Sequence, residues 1–147
     1  MIETSRPDSS GRLLALDLGT RRVGVAVCDE LQITARPLAA IKRRSWKELF
    51  ARVASIIESS QVRGLIIGLP LSLDGSEGSA AQEARSVAEK FRKSLSVPVY
   101  LQDERLTTFA ARSHLKSAAR SESEIEREVD SEAAAILLHD YIQAHRT

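Results

Sequence analysis

The stretch Leu13-Leu14-Ala15-Leu16-Asp17-Leu18-Gly19-Thr20-Arg21-Arg22-Val23-Gly24-Val25-Ala26-Val27 decides how this chain folds. Two short apolar runs, Leu13 to Leu18 and Val23 to Val27, flank a small polar connection, which predicts an antiparallel hairpin. Asp17 interrupts the first run, and a carboxylate inside an apolar strand is costly to bury unless it is paired or holds a metal. Strand alternation sends Leu16 and Leu18 to one face and leaves Asp17 facing the other, where a site can form. Pairing with Arg21 or Arg22 is the structural alternative.

Outward from the hairpin, Gln32 to Ile41 supplies a third strand, with Pro37 marking an edge or a bulge. The period then changes. Trp46, Leu49, Phe50, Val53, Ile56 and Ile57 recur at helical spacing behind Ser45 as N-cap, and Trp46 on this stripe reads as core. Leu65 to Leu69 is a continuous apolar run ended by Pro70, the pattern of a strand covered on both faces. Ser79 to Leu95 reads as a helix with Ser79 and Gln82 at capping-box spacing. Val97 to Leu101 is a fifth strand, stopped by Asp103-Glu104-Arg105. Thr107 to about Ser117 is helical, Arg120 to Glu128 is polar, and a last helix runs from about Ser131 to Ala144. Three strands in a meander followed by two βα units predict an α/β fold, a mixed five-stranded sheet flanked by helices. Residues 1–10 read as a flexible tail and 11–147 as one domain.

The bulk properties fit. The chain has 147 residues, 43% hydrophobic and 28% charged, with a formal charge of +1, enough for one core and neutral on the question of nucleic acid. Local basic groups matter more: Arg21 with Arg22, and Lys42, Arg43, Arg44 and Lys47. No apolar run approaches the roughly 20 residues that span a bilayer. The polar start lacks a signal-peptide core, so a cytoplasmic protein without a membrane partner is expected. The lone Cys28 falls in an apolar alternation and reads as a buried small hydrophobe.

Two more groups of acids join Asp17. Asp103 and Glu104 stand at the C-terminal end of a core strand, where α/β sheets bind ligands, and alternation lets only one of them face Asp17. Either acid also has Arg105 as a partner at the strand end. Asp130 precedes the last helix, where an N-cap is the simpler reading. Together, three carboxylates converging on one sheet edge suit hard divalent ions such as Mg²⁺ or Mn²⁺, and two such ions serve phosphodiester hydrolysis. The chain carries no phosphate-binding P-loop, no serine elbow and no Cys/His ligand cluster, and His114, His139 and His145 read as surface or packing residues.

Four segments resemble the motifs of the YqgF/RuvX family of the RNase H-like superfamily. They are Asp17 to Ala26, Gly68-Leu69-Pro70 with Asp74 to Gly78, Asp103 to Thr108, and Val129-Asp130-Ser131 with Ala133 to Leu138. They cover Arg12 to about Ala144 in order. The resemblance implies an RNase H-like, metal-dependent endonuclease, assigned in bacteria to trimming the 5′ end of pre-16S rRNA, with some members described as Holliday junction resolvases. It implies Asp17, Glu104 and Asp130 as catalytic metal ligands, with Glu104 preferred to Asp103 on motif position. Arg21, Arg22 and Arg105 would approach phosphates, and Gly75, Ser76 and Gly78 would lie beside the cleft. The partner is then an rRNA precursor or branched DNA, and the protein a monomer or homodimer. Two departures stand out. Better-known RNase H-like nucleases carry an acid where this chain has Gly68-Leu69-Pro70. Before Val129, where many relatives are rich in lysine, stand Glu122, Glu124, Glu126 and Glu128, which repel a phosphate backbone and leave a non-catalytic nucleic-acid-binding module as a third expectation.

Overall fold

The computed structural model describes residues 10–104 and 122–145, without the side chains of residues 122–130. The opening hairpin forms because each run presents alternate apolar side chains to two layers. β1 (Arg12–Leu18) and β2 (Arg22–Cys28) pair antiparallel, with Leu16 opposite Val25 and Asp17 opposite Gly24. β3 (Ala35–Lys42) pairs antiparallel with β2 and forms the edge, where Pro37 lies opposite Ala26. It starts three residues later than the sequence pattern indicates. Asp29 accounts for this: its Oδ1 accepts from the backbone N–H groups of Ile33 and Thr34, holding them in the turn.

α1 (Trp46–Ser59) starts as read, with Ser45 Oγ accepting from Glu48 N at 3.1 Å. It leads to β4 (Val62–Leu69), parallel to β1, then α2 (Ser79–Ser94) and β5 (Val99–Asp103), parallel to β4. The capping box at Ser79 and Gln82 does not form. Gly78 occupies the N-cap position without a side-chain bond, and Ser79 is already the first helical residue. β5 runs two residues further than expected and takes in Asp103. The last helix, α3 (Glu122–His145), also differs: the polar segment expected to precede it is its first turns, so Asp130 stands inside it. The helix predicted from Thr107 to about Ser117 lies outside the described residues, as does nearly all of the proposed tail.

The strand order is β3-β2-β1-β4-β5. α1 and α2 cover one face over a core of Leu14, Leu16, Val25, Leu65, Ile67 and Phe91. α3 covers the other over Leu13, Ala15, Ala26 and Ile66, with Leu137, Leu138 and Tyr141 packed onto them. Full burial of each large apolar side chain contributes about 1.5–3 kcal/mol. Trp46 is part of the first layer, meeting Phe91 edge-on at 4.7 Å between centroids, and Cys28 is buried in the second. Among the described residues no helix is long and apolar enough to cross a membrane.

Candidate functional site

Asp17 sits near the C-terminal end of β1 on the α3 face, 9% exposed. The strand places it there: Leu14 and Leu16 belong to the opposite layer, and Leu13 and Ala15 to the same one. In the parallel pairing with β4, Leu16 lies beside Ile67, so Asp17 and Gly68 follow on adjacent strands. β5 continues the ladder, with Gly68 beside Gln102 and the Glu104 amide donating to Leu69 O at 3.3 Å. Glu104 therefore emerges on the same face, while Asp103 is exposed and points the other way.

The space for Glu104 comes from a missing side chain. A Cβ on Gly68 would stand 2.7 Å from Glu104 Oε1 and 2.8 Å from its Cδ, closer than carbon atoms tolerate. The β5 carboxyl thus occupies the room above Gly68 that a side chain on β4 would fill. Sequence reading found the acids but missed Gly68 as their complement; the signal was the glycine itself inside a covered apolar strand.

The carboxyls of Asp17 and Glu104 are close enough to share a hydrogen bond. Burial pushes the Asp17 carboxyl above its ordinary range, partly offset by the bond to Glu104. Burial, first, and then the neighbouring Asp17 and Asp103 push Glu104 up to about 10. The causes that set Asp17 are burial and the bond to Glu104. Glu104 Oε1 is also buried without a hydrogen-bond donor. Two abutting carboxylates and an orphaned oxygen are a poor resting arrangement for anions. They are a good donor set for a hard cation, which takes oxygen ligands and cancels their repulsion.

The backbone of Asp130 lies in α3, one residue before Ser131; its side chain lies outside the described residues, as does Arg105. Ser131 is the anchor that sequence reading took only for a helix start. The β2–β3 register shifts between Val23 and Val25, a bulge, and the Ser131 hydroxyl fills it. It accepts from Val25 N at 3.4 Å and donates to Leu38 O at 2.6 Å. This bond fixes where α3 meets the sheet, and with it the backbone of Asp130.

The other expected residues ring the same end of the sheet. Arg21 is exposed in the β1–β2 turn and Arg22 begins β2. Gly75, Ser76 and Gly78 lie in the exposed loop after β4, where Gly75 adopts φ +89° and Ser76 N donates to Asp74 Oδ1 at 2.9 Å. Two braces escaped sequence reading. Arg85 holds Glu77 through Nε and Nη2 at 2.9 and 2.6 Å, tying that loop to α2. Arg43 donates to Gly19 O at 2.9 Å and to Glu83 at 2.7 Å, tying the hairpin turn to α2. His139 and His145 are exposed, the latter stacked on Tyr141, and His114 lies outside the described residues.

Known proteins resemble this chain closely. The family described as "RuvX: Holliday junction resolvase" matches residues 11–144. A protein of Anaeromyxobacter sp. (strain Fw109-5), named "Putative pre-16S rRNA nuclease", is 42% identical over 131 residues, covering 89% of this chain and 96% of that protein. A protein of Synechococcus sp. with the same name is 41% identical over 133 residues, covering 90% and 89%. Among solved structures, T. thermophilus RuvC in complex with a Holliday junction substrate aligns with a TM-score of 0.56 at 15% identity, covering 91% of this chain and 94% of that one. The yeast mitochondrial Holliday junction resolvase Ydc2 aligns at 0.57 and 9% identity, covering 95% and 80%. At these identities the two structures speak for the fold alone, which is RNase H-like.

Proposed function

The chain belongs to the RuvX family, and on that premise we propose that it is a divalent-metal-dependent endonuclease that processes the 5′ end of pre-16S rRNA. One observation carries the chemistry: the buried Asp17 and Glu104 carboxyls abut above Gly68, with Glu104 Oε1 lacking a donor. In this reading Asp17, Glu104 and Asp130 hold Mg²⁺ or Mn²⁺, two ions in all. Bound there, such ions would supply activation of water and charge stabilisation for the leaving phosphate oxygen.

The residues themselves have three tasks. Burial raises both carboxyls and favours a proton held between Asp17 and Glu104, which they would give up to solvent on becoming ligands. The short β5 backbone and the bare surface of Gly68 hold Glu104 against Asp17, so the pair is built before substrate arrives. Arg21, Arg22 and Arg105 approach phosphates, with the loop containing Gly75, Ser76 and Gly78 beside the cleft. The substrate choice draws on the names of the relatives that match about nine-tenths of this chain.

The family's own description supplies a second reading, resolution of a Holliday junction by the same chemistry. Cleavage of a 5′-extended 16S precursor and of a four-way junction, side by side with metal and with chelator, separates the two. Asp17→Asn should lower metal-dependent cleavage by at least about 100-fold, more than loss of an outer-shell partner costs. A variant that cuts as fast as the wild type ends the proposal. A Mn²⁺ titration showing no site dependent on Asp17 would instead favour a non-catalytic binding module.

A further inference from the structure

The second basic group of the sequence, around Arg43 and Arg44, plays no part in the carboxylate site, yet the fold brings it to the same end of the sheet. Arg43 N donates to Arg21 O, and Arg22 lies opposite Lys42, so the end of β3 and the β1–β2 turn are neighbours. Beside them a groove of about 350 Å³ opens between α1 and α2, lined among others by Thr20, Arg43, Arg44, Trp46, Ser86 and Lys90. Thr20 is three residues from Asp17, so the groove mouth is within roughly 11 Å of chain from the carboxylates. Trp46, Leu49 and Val87 belong to the α1/α2 layer, so the groove sits on the face opposite the carboxylates.

We infer that this groove is a phosphate-binding track, and that a nucleic-acid strand leaving the carboxylate edge crosses the β1–β2 turn and enters it. The inference rests on the nuclease reading and adds the path of the substrate. Lys90 is exposed, and its Nζ stands 5.5 Å from the centroid of the Trp46 ring, a weak surface contact that favours the ammonium at the groove wall. Arg44 is 62% exposed and reaches Glu48 only at 3.4 Å, a weak surface pair that a phosphate displaces. Arg43 is committed to Gly19 and Glu83 and forms the floor. Glu83 and Glu48 are the acids at the groove, and both already face arginines. The groove thus offers two exposed cations, Arg44 and Lys90, with Thr20 and Ser86 hydroxyls and an apolar wall at Trp46. That is the equipment for a backbone, which needs charge and hydrogen bonds but no base-specific contact.

The test is binding of a labelled 20-nucleotide RNA strand of mixed sequence in chelator, so that cleavage plays no part, across a range of KCl concentrations. Each phosphate contact on a single strand adds about 0.7 to the slope of log K against log salt. Arg44→Gln with Lys90→Gln should make that slope shallower by about 1.4 and weaken binding about 20-fold at 0.1 M salt. Arg36→Gln with Arg52→Gln removes two exposed charges away from the groove and should leave the slope close to that of the wild type. An unchanged slope in the groove variant overturns the track. So does an equal change in the control, since the contact would then be with the field of the whole molecule. Loss of metal-dependent cleavage in Asp17→Asn is read separately, so a failed track and a failed nuclease reading give different results.

Discussion

The two faces of the sheet are built from the same strands by alternate residues, yet they do different work. The face under α1 and α2 is large and uniformly apolar, with Phe91, Trp46 and Phe50 in mutual ring contact and Leu14, Leu16, Leu65 and Ile67 fully buried. The face under α3 is built with smaller residues, Ala15, Ala26, Ala134 and Cys28 among them, and carries the polar exceptions Asp17, Glu104 and Ser131. One face supplies stability that the other spends on holding two carboxylates together. The lesson is that a costly site is tolerated where a separate layer makes up the deficit.

Four substitutions probe that division, from the largest effect to the smallest. Phe91→Ala, at the centre of the apolar face, should cost about 3–5 kcal/mol of stability in denaturant unfolding while leaving cleavage per folded molecule unchanged. A fall in specific activity would show that the two faces are coupled. Gly68→Ala, on the other face, pushes a methyl into the Glu104 carboxyl at 2.7 Å. Cleavage should fall by about 10–100-fold, the range seen when the support of a metal ligand is disturbed. The fold should survive, as far-ultraviolet circular dichroism would record.

Ser131→Ala removes the hydroxyl from the β2–β3 bulge and leaves Val25 N–H without that acceptor and Leu38 C=O without that donor. A loss of about 1–3 kcal/mol is expected, with partial rescue by Ser131→Thr, which restores the hydroxyl. The smallest effect has an unusual sign. Burial and the neighbouring carboxyls push Glu104 up to about 10 in the folded chain, against an ordinary value of 4.5 when unfolded. Between these values the folded state binds more protons, so this site lowers stability as pH rises. Glu104→Gln should therefore raise the melting temperature at pH 8 by about 2–4 °C, a shift worth roughly 1 kcal/mol, and change it little at pH 4.5. The same variant should lose both cleavage and the stabilisation that Mn²⁺ gives the wild type. Equal melting curves at pH 8 would mean that Glu104 is not held against Asp17.

Local pattern carried most of this architecture. The alternation from Leu13 to Val27, the helical stripe from Trp46 and the buried run at Leu65 each require a particular partner layer, so element order and sheet type follow from them. Asp17 was legible for the same reason, as an acid where the pattern demands an apolar residue. The start of the last helix was not. Its first turns are polar all round, and polarity alone does not separate a solvated helix from a loop. The failed cap at Ser79 has a similar cause, since capping depends on backbone angles at Gly78 that spacing does not encode.

What the sequence determined alone is therefore the periodic part: which residues face a core, and which acid violates the pattern. Only the tertiary structure decided which acid joins Asp17, because that depends on the parallel register of β4 and β5 and on the absence of a side chain at Gly68. It also decided that Ser131 plugs a bulge 93 residues away in sequence at Leu38, and that two basic groups meet at one end of the sheet. Periodicity is a property of neighbours along the chain. Register, bulges and convergence are set by how distant segments pair, and no local pattern contains them.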